Sequence, residues 1–221
     1  MLKVVVFDSG YGGEIFADKL ESELPIIKVI RVIDWRHADQ FLKNSRSARQ
    51  AAGEALRPYI GRVDLIIFAN YFLSVTSLKF FQHKFKNQSF LGLKLPRPTT
   101  FVSRPTLALT TKALAHTISF YNYKFSLNRH IDTLCLDHWV GLVDDGELTS
   151  NMIYREIEQF RRTHHYRPKE VLLICSQFND IITELKEVLG GNLKFYDSFQ
   201  DTISDTCKLL KIRGGTGRKK K

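Results

Sequence analysis

Short all-apolar runs alternate with amphipathic stretches along the chain, and each apolar run ends on small polar residues. Val4-Val5-Val6-Phe7 leads into Asp8-Ser9-Gly10; Ile15, Phe16, Leu20 and Leu24 then recur at helical spacing, and Pro25 closes the segment. A second run, 26–33, ends on Asp34-Trp35-Arg36-His37. Residues 45–60 carry Ala48, Ala51, Ala52, Ala55 and Leu56 on one helical side. A third run, 63–69, ends on Asn70-Tyr71-Phe72 and precedes a helix from about Ser74; residues 90–93 read as a short fourth strand. Apolar runs of this kind, bounded by turn residues and alternating with helices, predict parallel strands buried on both faces.

After Leu95-Pro-Arg-Pro-Thr-Thr100, which reads as a linker, the design repeats. A strand at 106–110 ends on Thr111, with a helix from Lys112 and a strand at 131–136. Asp137-His138-Trp139 and the loop Asp144-Asp145-Gly146 precede a long helix, 147–162, with Met152, Ile153, Ile157 and Phe160 inward. Val171-Leu172-Leu173-Ile174 runs into Cys175-Ser176-Gln177, and Ile181, Ile182, Leu185, Val188 and Leu189 mark a helix from Phe178. A strand at 193–196, then Asp197-Ser198, and a last helix reaching about Leu210 complete the pattern.

Asp8 and Asn70 are 62 residues apart, and Thr111 and Cys175 are 64 apart. Each closes an apolar run. The echo predicts an α/β protein of two similar domains with parallel sheets, related by a pseudo-twofold, with a site in the interdomain cleft. The expected boundaries are 1–97 with a returning C-terminal helix at 197–211 for the first domain, and 98–196 for the second. Ligands of open α/β sheets bind beyond the carboxyl ends of the strands. Cys175 at such an end meets helix N-terminal amides that favour a thiolate. Against that stands the frequency of buried, inert free cysteines. Gly10, Gly12 and Gly13 let backbone amides face a ligand. They form no P-loop and no dinucleotide fingerprint, and the second Asp of a phosphoaspartate hydrolase is Gly10 here.

The 221 residues are 43% hydrophobic and 25% charged, an ordinary globular composition. No apolar run is long enough to cross a bilayer, and Met1-Leu2-Lys3 does not open a signal peptide. Three sparse cysteines fit a reducing, cytoplasmic setting and show no metal spacing. The net charge is +10, with seven basic and no acidic residues over 206–221. A disordered basic tail at 212–221 follows from its glycines and like charges. It reads most simply as a solubilising end, and nucleic-acid binding would rest on it alone. His138 reads as a structural histidine, and His164-His165 with Arg161, Arg162 and Arg167 as a solvated helix end.

Val4-Val5-Val6-Phe7-Asp8-Ser9-Gly10-Tyr11-Gly12-Gly13 resembles the F-D-S-G-x-G-G opening of glutamate racemases, in the aspartate/glutamate racemase superfamily. The segment from Val63 to Asn70-Tyr71 is similar to their first-thiol segment, which ends A-C-N-T. The segment from Val171 to Ile181 is similar to their second, G-C-T-H-Y-P-L. Leu142-Val143-Asp144-Asp145-Gly146 resembles their L-V-E-E-G, and Asp197-Ser198 their late D-S. The order is the family's over nearly the whole chain.

The resemblance implies cofactor-independent carbanion chemistry, without metal, in which two facing thiols exchange the α-proton of an amino acid. Cys175 matches the second thiol, and Asn70 falls where the first stands. The histidine after the second thiol falls on Gln177, and a P-Y-G loop on Asp39-Gln40-Phe41. The segment between Phe90 and Thr106 is shorter than in the family. Asp8 and Cys175 are the implied catalytic residues. Ser9, Asn70, Tyr71, Thr111, Ser176 and Gln177 are the implied substrate contacts. Cys135 lies where the family has a non-catalytic cysteine, and Cys207 reads as a core or surface thiol. One expected function is a divergent family member that binds a small carboxylate or amino acid with at most single-thiol chemistry, as in the arylmalonate decarboxylase-like branch. The others are a non-catalytic binding or interaction protein on this fold, and a working racemase with an unusual second base. A homodimer is admitted and a membrane partner is not.

Overall fold

The computed structural model describes residues 1–98, 104–127, 130–164, 167–190 and 193–212. The expected tail lies outside these except for Ile212, as do His165 and the last two residues of the linker. The first half runs β1 (Leu2–Asp8), α1 (Gly12–Glu23), β2 (Ile27–Ile33), a 3-10 turn, α2 (Ala38–Lys43), α3 (Ser45–Leu56), β3 (Leu65–Phe68), α4 (Tyr71–Lys84) and β4 (Phe90–Gly92). The second runs β5 (Thr106–Thr110), α5 (Lys112–Ala115), α6 (Ile118–Ser126), β6 (Ile131–Cys135), α7 (Asp137–Asp144), α8 (Ser150–His164), β7 (Glu170–Ile174), α9 (Ile182–Leu189) and β8 (Lys194–Tyr196), followed by α10 (Phe199–Leu209).

Each half holds a four-stranded sheet, in the orders β2-β1-β3-β4 and β6-β5-β7-β8. All strand pairs are parallel. The second order repeats the first, so the protein is an α/β fold of two matching parallel sheets. The central strands are buried throughout or nearly so, because their apolar side chains pack against helices on both faces.

The second sheet splits its side chains with the strand period of two. Leu107, Leu109, Val171 and Leu173 join Trp139, Ile157 and Phe178 in one core. Ala108, Leu172 and Ile174 point the other way, into the core of the first half. Helix α10 also returns to that half, where Phe199 meets Phe16 edge-on at 5.0 Å. Among the described residues, no helix is long and apolar enough to cross a membrane.

Several elements differ from expectation. Helix α4 begins at Tyr71 and not near Ser74, since Asn70 Oδ1 accepts the Leu73 N–H at 2.9 Å and caps the helix. Residues 137–144 form α7 where only a polar connection was expected. The helix from Lys112 is two helices, the second capped by the Thr117 side chain. Met152 is 41% exposed and not inward, while Ile153, Ile157 and Phe160 are buried. A 3-10 turn, Ser176–Asn179, separates Cys175 from α9.

Candidate functional site

The strand order explains the site. It sets β1 beside β3, and β5 beside β7, at the centre of each sheet. The residues ending those four strands therefore meet in pairs. Asp8 ends β1 and Asn70 follows β3; Thr111 follows β5 and Cys175 follows β7. The 62-residue spacing becomes a hydrogen bond from Asn70 Nδ2 to Asp8 Oδ1 at 2.9 Å.

The two halves touch through the loop after β1. A Cβ on Gly12 would lie 2.1 Å from Ser176 Oγ, and one on Gly10 would lie 2.6 Å from Gln177 Nε2. At Gly12, where the Gln177 backbone nitrogen would also lie 2.8 Å from the added Cβ, only glycine permits that approach. Ser176 Oγ donates to Asp8 Oδ2 at 3.0 Å, and the Tyr11 N–H donates to Asp144 Oδ1 at 3.0 Å. Asp8 also accepts the Ser9 N–H at 2.7 Å. Three donors favour its charged form, yet full burial outweighs them and pushes its carboxyl up to about 7. Burial also raises Asp144, against the help it receives from Tyr11 and Gln177.

Of the two readings of Cys175, a thiolate at a helix start and a buried thiol, burial favours the second. Burial pushes this thiol far above the ordinary range, and the nearby carboxyls of Asp8 and Asp144 push the same way. The backbone amides of Gln177 and Phe178 work in the opposite direction and are outweighed. The 3-10 turn after Cys175 is a single turn and supplies no long aligned helix. The thiol donates to Gln177 Oε1 at 3.0 Å; Ser176 Oγ lies 3.2 Å from the same oxygen, so its one proton can go there in place of Asp8.

Ser9, Asn70, Tyr71, Thr111, Cys175, Ser176 and Gln177 all line one cavity of about 70 Å³. Asp8 lies beneath it, bonded to three of its walls. Ligand pockets commonly measure roughly 300–1,000 Å³, so this one is small. Aromatic rings wall the space on one side. Tyr71 and Phe72, in the first turn of α4, are buried walls, as is Phe41 of α2. The Tyr71 hydroxyl is fixed by the Ser198 Oγ–H at 3.0 Å and the Ser198 N–H at 3.3 Å. Asn70 is committed at both ends, its oxygen to the helix cap and its nitrogen to Asp8 and Ser9.

Among the lining residues there is no lysine, arginine or histidine, so an anionic ligand meets hydroxyl, amide and thiol groups together with the carboxyl of Asp144. No group of three metal-ligating side chains occurs among the described residues. Cys135 and Cys207 are half-buried thiols outside the cavity. His138 is exposed and pairs with Glu156 at 3.0 Å.

Asp144, Phe41, Ala38, Leu114 and Val140 also line the cavity and were not singled out as site residues. The spacing of Trp139, Val140 and Val143 was a usable signal for α7, which would have carried Asp144 to the site. Phe41 has a signal in the resemblance, which puts the P-Y-G loop on Asp39-Gln40-Phe41; nothing comparable marks Ala38, at the start of the short helix α2.

No protein-family model and no curated protein matches the chain. Solved structures do match it in fold. Escherichia coli glutamate racemase, in complex with L-glutamate and the activator UDP-MurNAc-ala, has a TM-score of 0.83 at 20% identity, over 97% of this chain and 84% of that one. Campylobacter jejuni glutamate racemase has a TM-score of 0.77 at 19% identity, over 94% and 85%. Picrophilus torridus aspartate racemase has a TM-score of 0.65 at 16% identity, over 94% and 92%. At such identities the likeness concerns the fold alone: two parallel sheets arranged as in glutamate and aspartate racemases.

Proposed function

We propose that this is a divergent racemase-fold protein that holds a small amino acid or carboxylate between two domains, 1–97 with 197–211 and 98–196, and does not racemise by two thiols. What carries this reading is the cavity, which presents one thiol, Cys175, in undissociated form. Two-thiol racemisation needs a base on one face and an acid on the other. Asn70, in the position that the resemblance assigns to the first thiol, is neither. Cys175 has a proton to give, and the carboxyls of Asp8 and Asp144 beside it are the bases available to take one from a ligand's α-carbon. Ser9, Thr111 and Ser176 supply hydroxyls and Gln177 an amide to hold a carboxylate, while Asp8 orients Asn70 and Ser176 from below.

A non-catalytic binding protein is the second reading, favoured by the small volume and the rings of Tyr71 and Phe72. The test is incubation with L-glutamate, L-aspartate and small carboxylic acids in D2O, followed by chiral chromatography and proton NMR. The expected outcome is no interconversion of enantiomers, with slow α-deuteration that vanishes in Cys175→Ala. Racemisation at ordinary enzyme rates would overturn the proposal. If no substrate is deuterated but small carboxylates still raise the melting temperature, the second reading holds.

A further inference from the structure

Between residues 46 and 86 the chain carries seven lysines and arginines and two acids. One of those acids, Asp64, accepts the Lys3 N–H at the start of the first sheet. The other, Glu54, accepts from Gln50. Among the described residues, Arg46, Arg49, Arg57, Lys79, Lys84 and Lys86 form no ion pair. Cations without an ion pair occur elsewhere too, but acids stand among them there, as where Arg31 is shared among Glu14, Asp18 and Glu21. The excess of positive charge is therefore not confined to the tail. Three of these cations, Arg49, Arg57 and Lys84, come together where α3 and α4 lie side by side.

That face also exposes a ring. Phe80 is 42% exposed, with the Arg49 guanidinium 5.0 Å and the Lys84 ammonium 5.5 Å from its centre. Lys84 reaches Phe85 as well, at 5.3 Å. Beside them a groove of about 490 Å³ runs between the helices, lined by Arg49, Gly53, Glu54, Arg57, Lys84 and Phe85. A Cβ added at Gly53 would meet nothing within 4 Å, so the groove is open there.

We propose that this face binds single-stranded nucleic acid. Unpaired cations along a groove neutralise successive phosphates, and the cost of leaving them unpaired within the fold is small because water solvates them. A half-exposed ring and an arginine plane set among those cations form a stacking platform for an unpaired base. A duplex hides its base faces and gains nothing from that platform. An acidic peptide would use the charge and leave the ring without a role, whereas a lipid surface would take both, so a comparison with vesicles belongs in the test.

The test is fluorescence anisotropy of the full chain with a labelled single-stranded oligonucleotide of about 12 nucleotides, within the site sizes usual for such surfaces. Phe80→Ala should weaken binding by about five-fold or more, the lower end of a base–aromatic stack. The triple variant Arg49→Ala, Arg57→Ala, Lys84→Ala should lower the slope of log affinity against log salt by about 2. Both effects should persist when Arg218, Lys219, Lys220 and Lys221 are all replaced by serine. Arg49, Arg57, Phe80 and Lys84 are exposed or half-exposed, and circular dichroism checks the fold of each variant. The proposal fails if the oligonucleotide does not bind, if the serine variant alone abolishes binding, or if the triple variant binds like wild type. It fails equally if Phe80→Ala is silent while heparin, which has no bases, competes as well as the oligonucleotide. Tighter binding to anionic phospholipid vesicles than to the oligonucleotide also overturns it.

Discussion

Asp8 gives the folded protein a pH dependence of unusual sign for a carboxyl group. In the unfolded chain it titrates near its ordinary value of 3.8; in the fold, burial holds it at about 7. Between those values the folded state keeps a proton that the unfolded state has lost. Stability contributed by this group is therefore full below pH ~4, falls as pH rises through the window, and is flat above pH ~7. The difference corresponds to about 4 kcal/mol across the window. Asn in place of Asp8 keeps an oxygen for the Ser9 and Asn70 donors and removes the charge. Urea denaturation at several pH values should show the stability of wild type falling relative to Asp8→Asn from pH 4 to 7. Parallel curves for the two proteins would mean that Asp8 is not held neutral by the fold. Asp144 shifts in the same direction, so the comparison with the variant is what isolates Asp8.

Helix α4 decides how much room the site has. Its Asn70 cap starts the helix early enough to put Tyr71 and Phe72 in the first turn, facing the cavity. Phe72 is 9% exposed, so Phe72→Ala should cost about 3 kcal/mol, the lower range for deleting a buried ring. It should also strengthen the thermal shift produced by small carboxylates, because the wall recedes. A loss below about 1 kcal/mol in chemical denaturation would show that the ring is poorly packed. The central strands were legible in the sequence, because strands buried on both faces leave unbroken apolar runs. The start of α4 was not, because Tyr71 and Phe72 read as an extension of the apolar run before them. Helix α7 was missed because Asp144-Asp145-Gly146 has turn composition, although Gly146 alone takes up the positive φ, of 69°. The state of Cys175 stays open in the sequence, between thiolate and buried thiol, for a physical reason. Proximity to a helix start favours a thiolate only when burial is incomplete and no carboxyl stands nearby, and here both conditions fail.

The strand order, repeated in both sheets, turns a sequence echo into a junction between halves. Asp8 with Ser176, and Tyr11 with Asp144, are polar links across that junction. The apolar links are more extensive. Ala108, Leu172 and Ile174 of the second sheet share a core with Val5, Phe16 and Phe199 of the first half. Neither half can unfold alone without exposing that shared surface, at roughly 25 cal/mol for each Å². The chain should therefore melt in one cooperative transition despite its two sheets. Its two tryptophans make the prediction checkable. Trp35 lies in the first half and is 48% exposed, while Trp139 is buried in the second at 1%. In Trp35→Phe, fluorescence reports Trp139 alone and far-ultraviolet circular dichroism reports the whole chain. Coincident midpoints for the two signals are the expected result. An earlier loss of Trp139 fluorescence would mean that the second sheet opens independently, and that the cleft around Cys175 is only as stable as the weaker half.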